Sequence, residues 1–262
     1  MKKVRNVFIS KVVAGKKWLK KLIDLGANID LIITLKDNKV SDGCNFLDIS
    51  KKHEITLVKT NNINEKHVVN KLKKNDVDLI WVLGWSQIVK PEILDIPKIG
   101  CIGSHPTELP KYRGRAPIPW SIIKGLKESA LTFFWLDSGV DNGDILIQKK
   151  FPIEINDTAR DVYKKVISIG EDMLSEIYPK FLRGKFPRAQ QNPDHFIEEW
   201  PKRTTKDSEI DWSKSELDIH NQIRAVAGIY PWAYTYLGGK KMLIKKSEFH
   251  NKKLIIKWAE FE

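Results

Sequence analysis

The sequence predicts an α/β protein in which a mainly parallel, doubly wound sheet is followed by a small α+β or open-barrel subdomain. Two observations predict this class. Through residue 84, short apolar runs with strand composition alternate with segments whose apolar residues recur at helical spacing, as in proteins built from βα units. After about residue 190, the pattern changes to one helix and three strand-like segments.

The N-terminal elements follow one another at short intervals. The second apolar run is nearly continuous, as expected for a strand buried on both faces. Gly26 ends the first helix, and Asn64 can cap the next one. The apolar residues of that next helix are Val68, Val69 and Leu72. We therefore predict strands over residues 4–10, 29–35, 55–60 and 78–84, and a first helix over residues 14–25.

The middle of the chain predicts an antiparallel edge to the sheet. Strands over residues 130–137 and 145–153 are joined by SGVDNG, whose Gly, Asp and Asn content is typical of a turn. A long helix can begin at Asp157 or Thr158 and should end or kink at Pro179. Its predicted core stripe is Val162, Val166, Ile169, Met173 and Ile177.

The segment RGKFPRAQQNPDH, residues 183–195, has the Pro, Gln and Asn content of a connector. We place the main boundary there, between an N-terminal domain of residues 1–190 and a C-terminal subdomain of residues 191–262. The predicted elements of the subdomain are a helix near residues 217–226 and strands over 233–237, 241–246 and 253–261.

The composition is that of a folded, lysine-rich protein. Its net charge of +12 comes mostly from scattered lysines, and this charge would suit nucleic acid or a doubly charged small ligand, so it does not select a partner. Cys44 and Cys101 cannot form a disulfide framework and have no companions that suggest a metal. The chain shows neither a signal-peptide pattern nor a membrane-length apolar run, so we expect a cytoplasmic protein without a membrane partner.

His105 lies at the end of a short apolar strand and precedes Pro106, where the chain must turn. Downstream, KYRGRAP places two guanidinium groups and a phenol beside a glycine, which suits an anion. The turn LDSGVDNGD brings three aspartates to another strand end, where one could orient the imidazole. Without a Ser or Cys nucleophile motif, a His with an Asp partner indicates proton and oxyanion management in direct group transfer. A lone histidine bonded within a loop is the alternative.

Two segments carry a resemblance to a known family. GCIGSHPTELPKYRGRAPIPWSIIKG, followed by LTFFWLDSGVDNGDIL, resembles the signature of the formyltransferases that use 10-formyltetrahydrofolate. The resemblance extends from DLIWVLGWSQIVKPEIL through WPKRTTKDSEIDW and IRAVAGIYPWAYTYLGGKK, which covers most of the chain. It implies a Rossmann-like catalytic domain with the formyltransferase fold, an N-formyltransferase activity and no metal.

The resemblance also implies roles for individual residues. His105 matches the catalytic histidine and Asp141 matches the aspartate that tunes it, whereas the asparagine of the family falls on Gly103. The folate would lie along the loop that follows residue 84 and along the aspartate turn. Apart from the resemblance, the position of Trp85 in that loop predicts either a wall of the folate or sugar pocket or simple packing. The residues implied for the folate are Gln87, Ile88, Val89, Arg115, Asp137, Ser138, Gly139 and Val140, and those near the substrate are Lys111, Tyr112 and Arg113.

The reaction that the resemblance implies is the attack of an amine on the formyl carbon. His105 as an imidazolium, favoured by Asp141, can donate a hydrogen bond to the oxyanion, and the pair can relay protons. The missing asparagine would normally be a second donor, and loss of one such donor typically costs about 10² to 10³ in rate. We hypothesise that a backbone N–H, a water molecule or Ser104 replaces it.

The identity of the amine is left open by these motifs. The segments PKRTTKDSEIDW and KYRGRAP look most like enzymes that act on UDP- or dTDP-linked deoxyamino sugars for surface glycans, which by analogy suggests a homodimer. Methionyl-tRNA is the alternative acceptor, although only about 60 residues follow Pro201, which predicts too small a subdomain to hold tRNA. A non-catalytic protein that binds folate or a nucleotide sugar, suggested by Gly103, and glycinamide ribonucleotide formylation are the remaining alternatives.

Overall fold

The central element is a seven-stranded sheet, seen in a computed structural model that describes residues 4–36 and 42–262. In chain order the strands are β1 (Arg5–Ile9), β2 (Asn28–Leu35), β3 (Thr56–Thr60), β4 (Leu79–Val82), β5 (Gly100–His105), β6 (Tyr112–Gly114), β7 (Glu128–Trp135), β8 (Ile145–Pro152), β9 (Glu198–Trp200), β10 (Ala233–Leu237), β11 (Lys240–His250) and β12 (Lys253–Phe261). The helices are α1 (Val13–Asp24), α2 (Leu47–Lys52), α3 (Lys66–Lys74), α4 (Pro91–Leu94), α5 (Pro117–Ile123), α6 (Ala159–Leu182) and α7 (Glu216–Arg224).

The strand order of the sheet is β3-β2-β1-β4-β5-β7-β8. The first five strands in this order pair in parallel, and β7 and β8 then add an antiparallel edge. The predicted strands and the antiparallel edge are therefore confirmed. Because the order reverses direction between β1 and β4, the carboxyl ends of the central strands face a crevice in which such sheets bind ligands.

Two hydrophobic layers cover the sheet, and strand alternation decides which residue enters which layer. Phe8, Ile32 and Ile102 face the layer formed with α1, α5 and α6. Cys101 faces the opposite layer, formed with α3 and α4. Along β5 the same alternation puts Gly103 and His105 on the side of α3 and α4, and Ser104 on the side of α1 and α6.

The predicted cap of α3 is wrong, and of the two predicted outcomes at Pro179 the helix end is wrong, whereas the kink stays a prediction. The N-cap of α3 is Glu65, because Asn64 uses its side chain on the loop after β4: its Nδ2 donates to the Ile88 carbonyl and its Oδ1 accepts from the Lys90 N–H, both at 2.9 Å. Pro179 does not end α6, which continues to Leu182. The helix continues because burial of residues in its last turns, such as Phe181, outweighs the local cost of a proline.

The start of α6 is as predicted. Thr158 is its N-cap, and a capping box joins Thr158 to Asp161. Four of the five residues of the predicted core stripe are fully buried, and the fifth, Ile169, is partly buried against the same layer.

The C-terminal elements form a three-stranded antiparallel sheet, β10-β11-β12, packed on α7. Helix and strands occur where the sequence predicts them. Arg224 and His220 of α7 join this subdomain to the loop before α6: Arg224 donates to the carbonyls of Glu154 and Asp157, and a ring nitrogen of His220 lies 2.9 Å from the carbonyl oxygen of Ile155. The division at residue 190 stays a prediction. Among the described residues, we find no helix with the length and apolarity needed to cross a membrane.

Candidate active site

His105 is the last residue of β5, at the carboxyl end of the strand that lies between β4 and β7. The residue is only 5% exposed, and its Nε2 is buried with no hydrogen-bond partner in the described part of the chain. A buried ring nitrogen without a partner is costly in a folded protein and is usually satisfied by a ligand or water. The imidazole is therefore poised to meet a bound molecule.

Asp141 faces this imidazole from the turn between β7 and β8. Its Oδ2 lies 3.6 Å from His105 Nδ1, which is beyond hydrogen-bond distance but close enough for strong electrostatic interaction. The same Oδ2 accepts a hydrogen bond from the N–H of Gly114 at 3.2 Å. Asp141 has a left-handed backbone, with φ of 53°, so the turn holds it in a strained conformation.

Burial and charge act in opposite directions on His105. Burial lowers the pKa of His105 below its ordinary value, and this exceeds the effects of the Asp141 charge and of the Tyr112 backbone, which both raise the pKa. The imidazole is therefore neutral at neutral pH in the ligand-free protein. The imidazolium that the sequence analysis expects to donate to an oxyanion stays a prediction, and the Asp141 charge favours that form.

At Gly103, the structure explains how the chain accommodates a missing side chain. A Cβ atom at this position would lie 2.5 Å from Leu136 Cδ2 and 3.2 Å from a ring carbon of Phe134. Leu136 therefore fills the space in which a side chain at residue 103 would begin. Ser104 leaves the opposite face of β5, and its Oγ accepts the N–H of Gly84 at 3.1 Å. Of the three hypothesised replacement donors, Ser104 is thus poorly placed.

The loop after β4 contains the first group of residues expected to contact folate. The amide of Gln87 is used within the protein, since it accepts from the N–H of Ile63 and donates to the carbonyl of Asn61. Val89 is buried, but Ile88 is 72% exposed. Trp85 is partly buried, and its Nε1 is a buried donor that has no partner within the described residues.

The turn from Asp137 to Val140 lies at the carboxyl end of β7, and its residues are exposed. Asp137 Oδ1 accepts the N–H of Gly139 at 2.9 Å, so this hydrogen bond between two of its own residues stabilises the turn. Val140 is 54% exposed. Large exposed apolar side chains thus occur on both segments that the sequence assigns to the folate, Ile88 on one and Val140 on the other, which is typical of a ligand-binding groove.

The residues expected near the substrate lie around β6, which pairs in parallel with β9. Lys111 forms an ion pair with Glu108 at 2.9 Å, and Tyr112 stacks on Trp200 with ring centroids 4.8 Å apart. The guanidinium of Arg113 donates to Gln191 Oε1 at 3.0 Å. These three side chains therefore have partners inside the protein. The side chain of Arg115 is exposed.

Sequence reasoning missed three residues of this region. Gln191 and Trp200 come from the connector and from β9, and both are buried against the segments that hold Asp141 and Arg113. Lys11 follows β1, and its Nζ donates to Ser86 Oγ at 2.7 Å. Burial and the Arg115 charge lower the pKa of Lys11, whereas the Asp42 charge raises it. For Lys11, a position beyond the carboxyl end of a central strand was the available signal.

We find no group of three or more His, Cys, Asp or Glu residues placed to hold a metal ion within residues 4–36 and 42–262. Burial raises the pKa of the Cys101 thiol to about 12 and that of Cys44 to about 11. Both thiols are therefore protonated at neutral pH and are poor nucleophiles.

The fold and the site define a class of protein, and comparison with known proteins identifies it. The formyl transferase family matches residues 19–178, and the family of formyl transferase C-terminal domains matches residues 202–256. The chain belongs to the formyl transferase family and is an N-formyltransferase.

Individual relatives differ in the activity their names describe. The chain is 30% identical to methionyl-tRNA formyltransferase of Geobacter sulfurreducens over 246 residues, which cover 91% of this chain and 76% of the relative. It is 35% identical to the bifunctional polymyxin resistance protein ArnA of Wigglesworthia glossinidia brevipalpis over 230 residues, or 87% of this chain and 35% of that protein. The crystal structure of WlaRD, a sugar 3N-formyl transferase with dTDP and 5-N-formyl-THF, matches with a TM-score of 0.73 and 23% identity over 96% of this chain and 88% of WlaRD.

Proposed function

We propose that the protein transfers the formyl group of 10-formyltetrahydrofolate to the amine of a UDP- or dTDP-linked deoxyamino sugar used in surface glycans. The observation that carries the transfer chemistry is the buried His105, whose Nε2 is free within the described residues and whose Nδ1 faces Asp141 at 3.6 Å. The sugar acceptor is supported by the match to WlaRD, whose structure combines dTDP with a formylated folate in the same fold.

In this proposal His105 transfers the protons and Asp141 stabilises its charged form. The carboxylate of Asp141 favours the tautomer with hydrogen on Nδ1, which leaves the lone pair on Nε2. The acceptor amine attacks the formyl carbon, the new C–N bond forms, and Nε2 takes the proton that the amine loses. The resulting imidazolium, stabilised by Asp141, donates to the oxyanion and returns the proton to N10 of the folate as its bond to the formyl carbon breaks.

The second oxyanion donor is a backbone N–H or a water molecule in this proposal. Leu136 occupies the place of a side chain at residue 103, and Ser104 faces the other side of β5. A lowered pKa for His105 suits a general base, because the imidazole must be neutral when the amine arrives.

The two ligands would approach the pair from opposite segments. The folate lies along Ile88 and Val140, whose apolar side chains are exposed, with Trp85 at the wall of its groove and Arg115 nearby. The acceptor lies on the side of Arg113, which is connected to Asp141 through the backbone of Gly114. A homodimer and a cytoplasmic location stay predictions.

The test is single-turnover formyl transfer with 10-formyltetrahydrofolate, a panel of UDP- and dTDP-linked 3-amino and 4-amino sugars, and methionyl-tRNA. We expect product with one sugar and a fall of at least about 10²-fold for His105→Ala. His53→Ala, which removes an exposed histidine at the end of α2, is the matched control and should keep the full rate. Formylation of methionyl-tRNA alone would overturn the sugar acceptor, and no product with any acceptor would overturn the mechanism.

Methionyl-tRNA is the second candidate acceptor. It is favoured by the relative from Geobacter sulfurreducens, of whose length the chain covers 76%, and by the net charge of +12. A basic protein gains affinity for nucleic acid by releasing counterions, so the two acceptors differ in how their use depends on salt.

A further inference from the structure

We propose that Gln191 is a positioning residue for formyl transfer, which fixes the turn carrying Asp141 and connects that turn to Arg113. Gln191 is 6% exposed and belongs to the connector between α6 and β9. Its Nε2 donates to the carbonyls of Asp141 and Gly143, at 2.9 and 2.8 Å. Its Oε1 accepts from Arg113 at 3.0 Å. One side chain thus connects three segments of the site: the connector, the turn that carries Asp141, and β6.

Backbone pairing places Gln191 beside the turn. Ala189 and Ile145, the first residue of β8, exchange two hydrogen bonds, N–H to carbonyl in each direction, as an isolated antiparallel bridge. Two residues further along each strand, this register sets Gln191 opposite Gly143 on the same face. The connector is therefore held against the turn by its backbone, and the Gln191 amide extends the contact to Asp141.

Asp141 needs such support because of its conformation. A residue other than glycine with φ of 53° has a strained backbone, because its Cβ lies too close to the carbonyl oxygen. Gly114 holds the carboxylate end of Asp141 by its N–H, and Gln191 holds the carbonyl end. With both ends fixed, the carboxylate stays directed at His105. Without Gln191, the turn can relax and carry the carboxylate away from the imidazole.

The chemistry of the side chain explains why a glutamine suits this position. The amide offers two N–H donors for two carbonyls and an oxygen acceptor for the guanidinium. Glutamate has the same shape but no donor, leucine has neither group, and asparagine is shorter by one methylene. A polar cleft of about 490 Å³ is lined by Gln191 together with Arg113, Gly143 and Gln190.

The proposal is tested by the titration of His105 and by steady-state kinetics. The charged side chain with a resolved effect on His105 is Asp141, which raises the His105 pKa. If Gln191 directs that carboxylate, Gln191→Leu should weaken the effect and lower the pKa of His105 further. We expect NMR of the ligand-free protein, with the His105 signal assigned from His105→Gln, to show the midpoint shifted to lower pH.

Kinetics give the second measurement. For Gln191→Leu we expect kcat to fall about tenfold or more, with the acidic limb of the kcat/KM profile moved to lower pH. Gln191→Asn should recover part of the loss. Gln190→Leu, at the exposed neighbouring residue of the same cleft, should leave both measurements unchanged.

The outcomes separate this proposal from a structural role and from the choice of acceptor. The positioning role would be overturned if Gln191→Leu only unfolds more easily. In that case the His105 titration midpoint, the acidic limb of kcat/KM and kcat would all be unchanged. Should that variant fail to fold, Gln191→Met, which is neutral, similar in length and without N–H donors, gives the same NMR comparison, and an unshifted midpoint there would likewise overturn it. The titration uses no substrate, so its result tests the role of Gln191 whichever amine is formylated.

Discussion

At His105, one carboxylate decides how far burial can lower the pKa. Burial lowers the His105 pKa and Asp141 raises it. Replacing Asp141 by Asn removes the raising charge, so the pKa should fall further, and the neutral imidazole should persist to lower pH. We expect the acidic limb of kcat/KM to move to lower pH in Asp141→Asn, with kcat reduced about 10²-fold or more because the imidazolium loses its stabilising partner.

The measurement is the pH profile of kcat/KM for both proteins with the same acceptor. Asp137→Asn in the same turn is the matched control, since its carboxylate accepts the N–H of Gly139 and has no resolved effect on His105. An acidic limb that stays in place in Asp141→Asn would show that the limb reports another group.

The same reasoning gives the sign of the effect on stability. A histidine with a pKa lowered in the folded state resists protonation there, so the unfolded chain binds more protons as the pH falls. The stability that neutral His105 represents is therefore complete above the unfolded value of about 6.5 and is lost as the pH falls through the lower folded pKa.

Gly103 and Leu136 should behave as a coupled pair. Gly103→Asn places a Cβ atom 2.5 Å from Leu136 Cδ2, so Leu136 must move, and we expect the free energy of unfolding to fall by about 1 to 3 kcal/mol. Leu136→Ala provides the missing space. The double variant should therefore be more stable than the sum of the two single changes predicts, by at least about 0.5 kcal/mol.

Urea unfolding of the four proteins measures this coupling, and kcat of the double variant tests the oxyanion donor. If a backbone N–H or water serves the oxyanion, as we propose, kcat should change by less than about tenfold. A rise of about a hundredfold would show that no donor replaces the asparagine. Strictly additive unfolding energies would show that Leu136 does not occupy the space beside Gly103.

At the scale of the elements, the pairing of β6 with β9 depends on Gly114. This residue has φ of 97°, and a Cβ on it would lie 2.3 Å from the carbonyl oxygen of Trp200. Gly114→Ala should therefore separate the two strands and withdraw the N–H that Asp141 accepts. We expect a loss of more than about 2 kcal/mol in the free energy of unfolding, together with a lower kcat.

Gly184→Ala is the matched control for this change. Gly184 has φ of 71° and no heavy atom within 4 Å of an added Cβ, so the substitution adds only the left-handed strain, about 1 kcal/mol. Urea unfolding compares the two variants. Equal losses would mean that contact with Trp200 adds nothing to the conformational cost.

Most elements could be predicted because their apolar spacing carries the information. The buried run of β2 and the stripe of α6 are examples. The three-residue strands β6 and β9 could not be predicted, because strands this short have no periodicity and the two are separated by 83 residues of the chain. Asn64 was misread for a similar reason: its partners, such as Lys90, lie in a distant loop that the local sequence does not reveal.

The residues of the candidate site likewise include some that the sequence indicates and some that it does not. His105 and the aspartate turn stand at strand ends with special residues around them, so sequence and resemblance both indicate them. Gln191 is one polar residue in a polar connector, and only the bridge between Ala189 and Ile145 brings it to Asp141. The neutral state of His105 could not be predicted either, since it depends on how deeply the folded chain buries the ring.

At the scale of the whole molecule, the arrangement of charge bears on the acceptor. The net charge is +12, yet lysines of the C-terminal sheet lie beside glutamates: Lys241 beside Glu262 at 2.6 Å, and Lys245 beside Glu260. Paired lysines offer less to a phosphate backbone than free ones, because their charge is already partly neutralised. This observation favours an acceptor smaller than tRNA.

The salt dependence of catalysis separates the two acceptors. A protein that neutralises six or more phosphates loses about 10³-fold or more in affinity between 50 and 200 mM salt, whereas a diphosphate presents only a few charges. We therefore expect kcat/KM for the amino sugar to fall by less than about tenfold over this range. The KM for 10-formyltetrahydrofolate, measured in parallel, controls for a general effect of salt on the enzyme.

One outcome would contradict the sugar assignment. In it, kcat/KM for methionyl-tRNA exceeds that for every sugar at 50 mM salt and falls steeply at 200 mM. The lysine-rich surface would then bind a nucleic acid. If the sugar reaction is nearly unchanged and the tRNA reaction stays slow at both concentrations, the positive charge serves only to keep the protein soluble and to attract small anionic ligands.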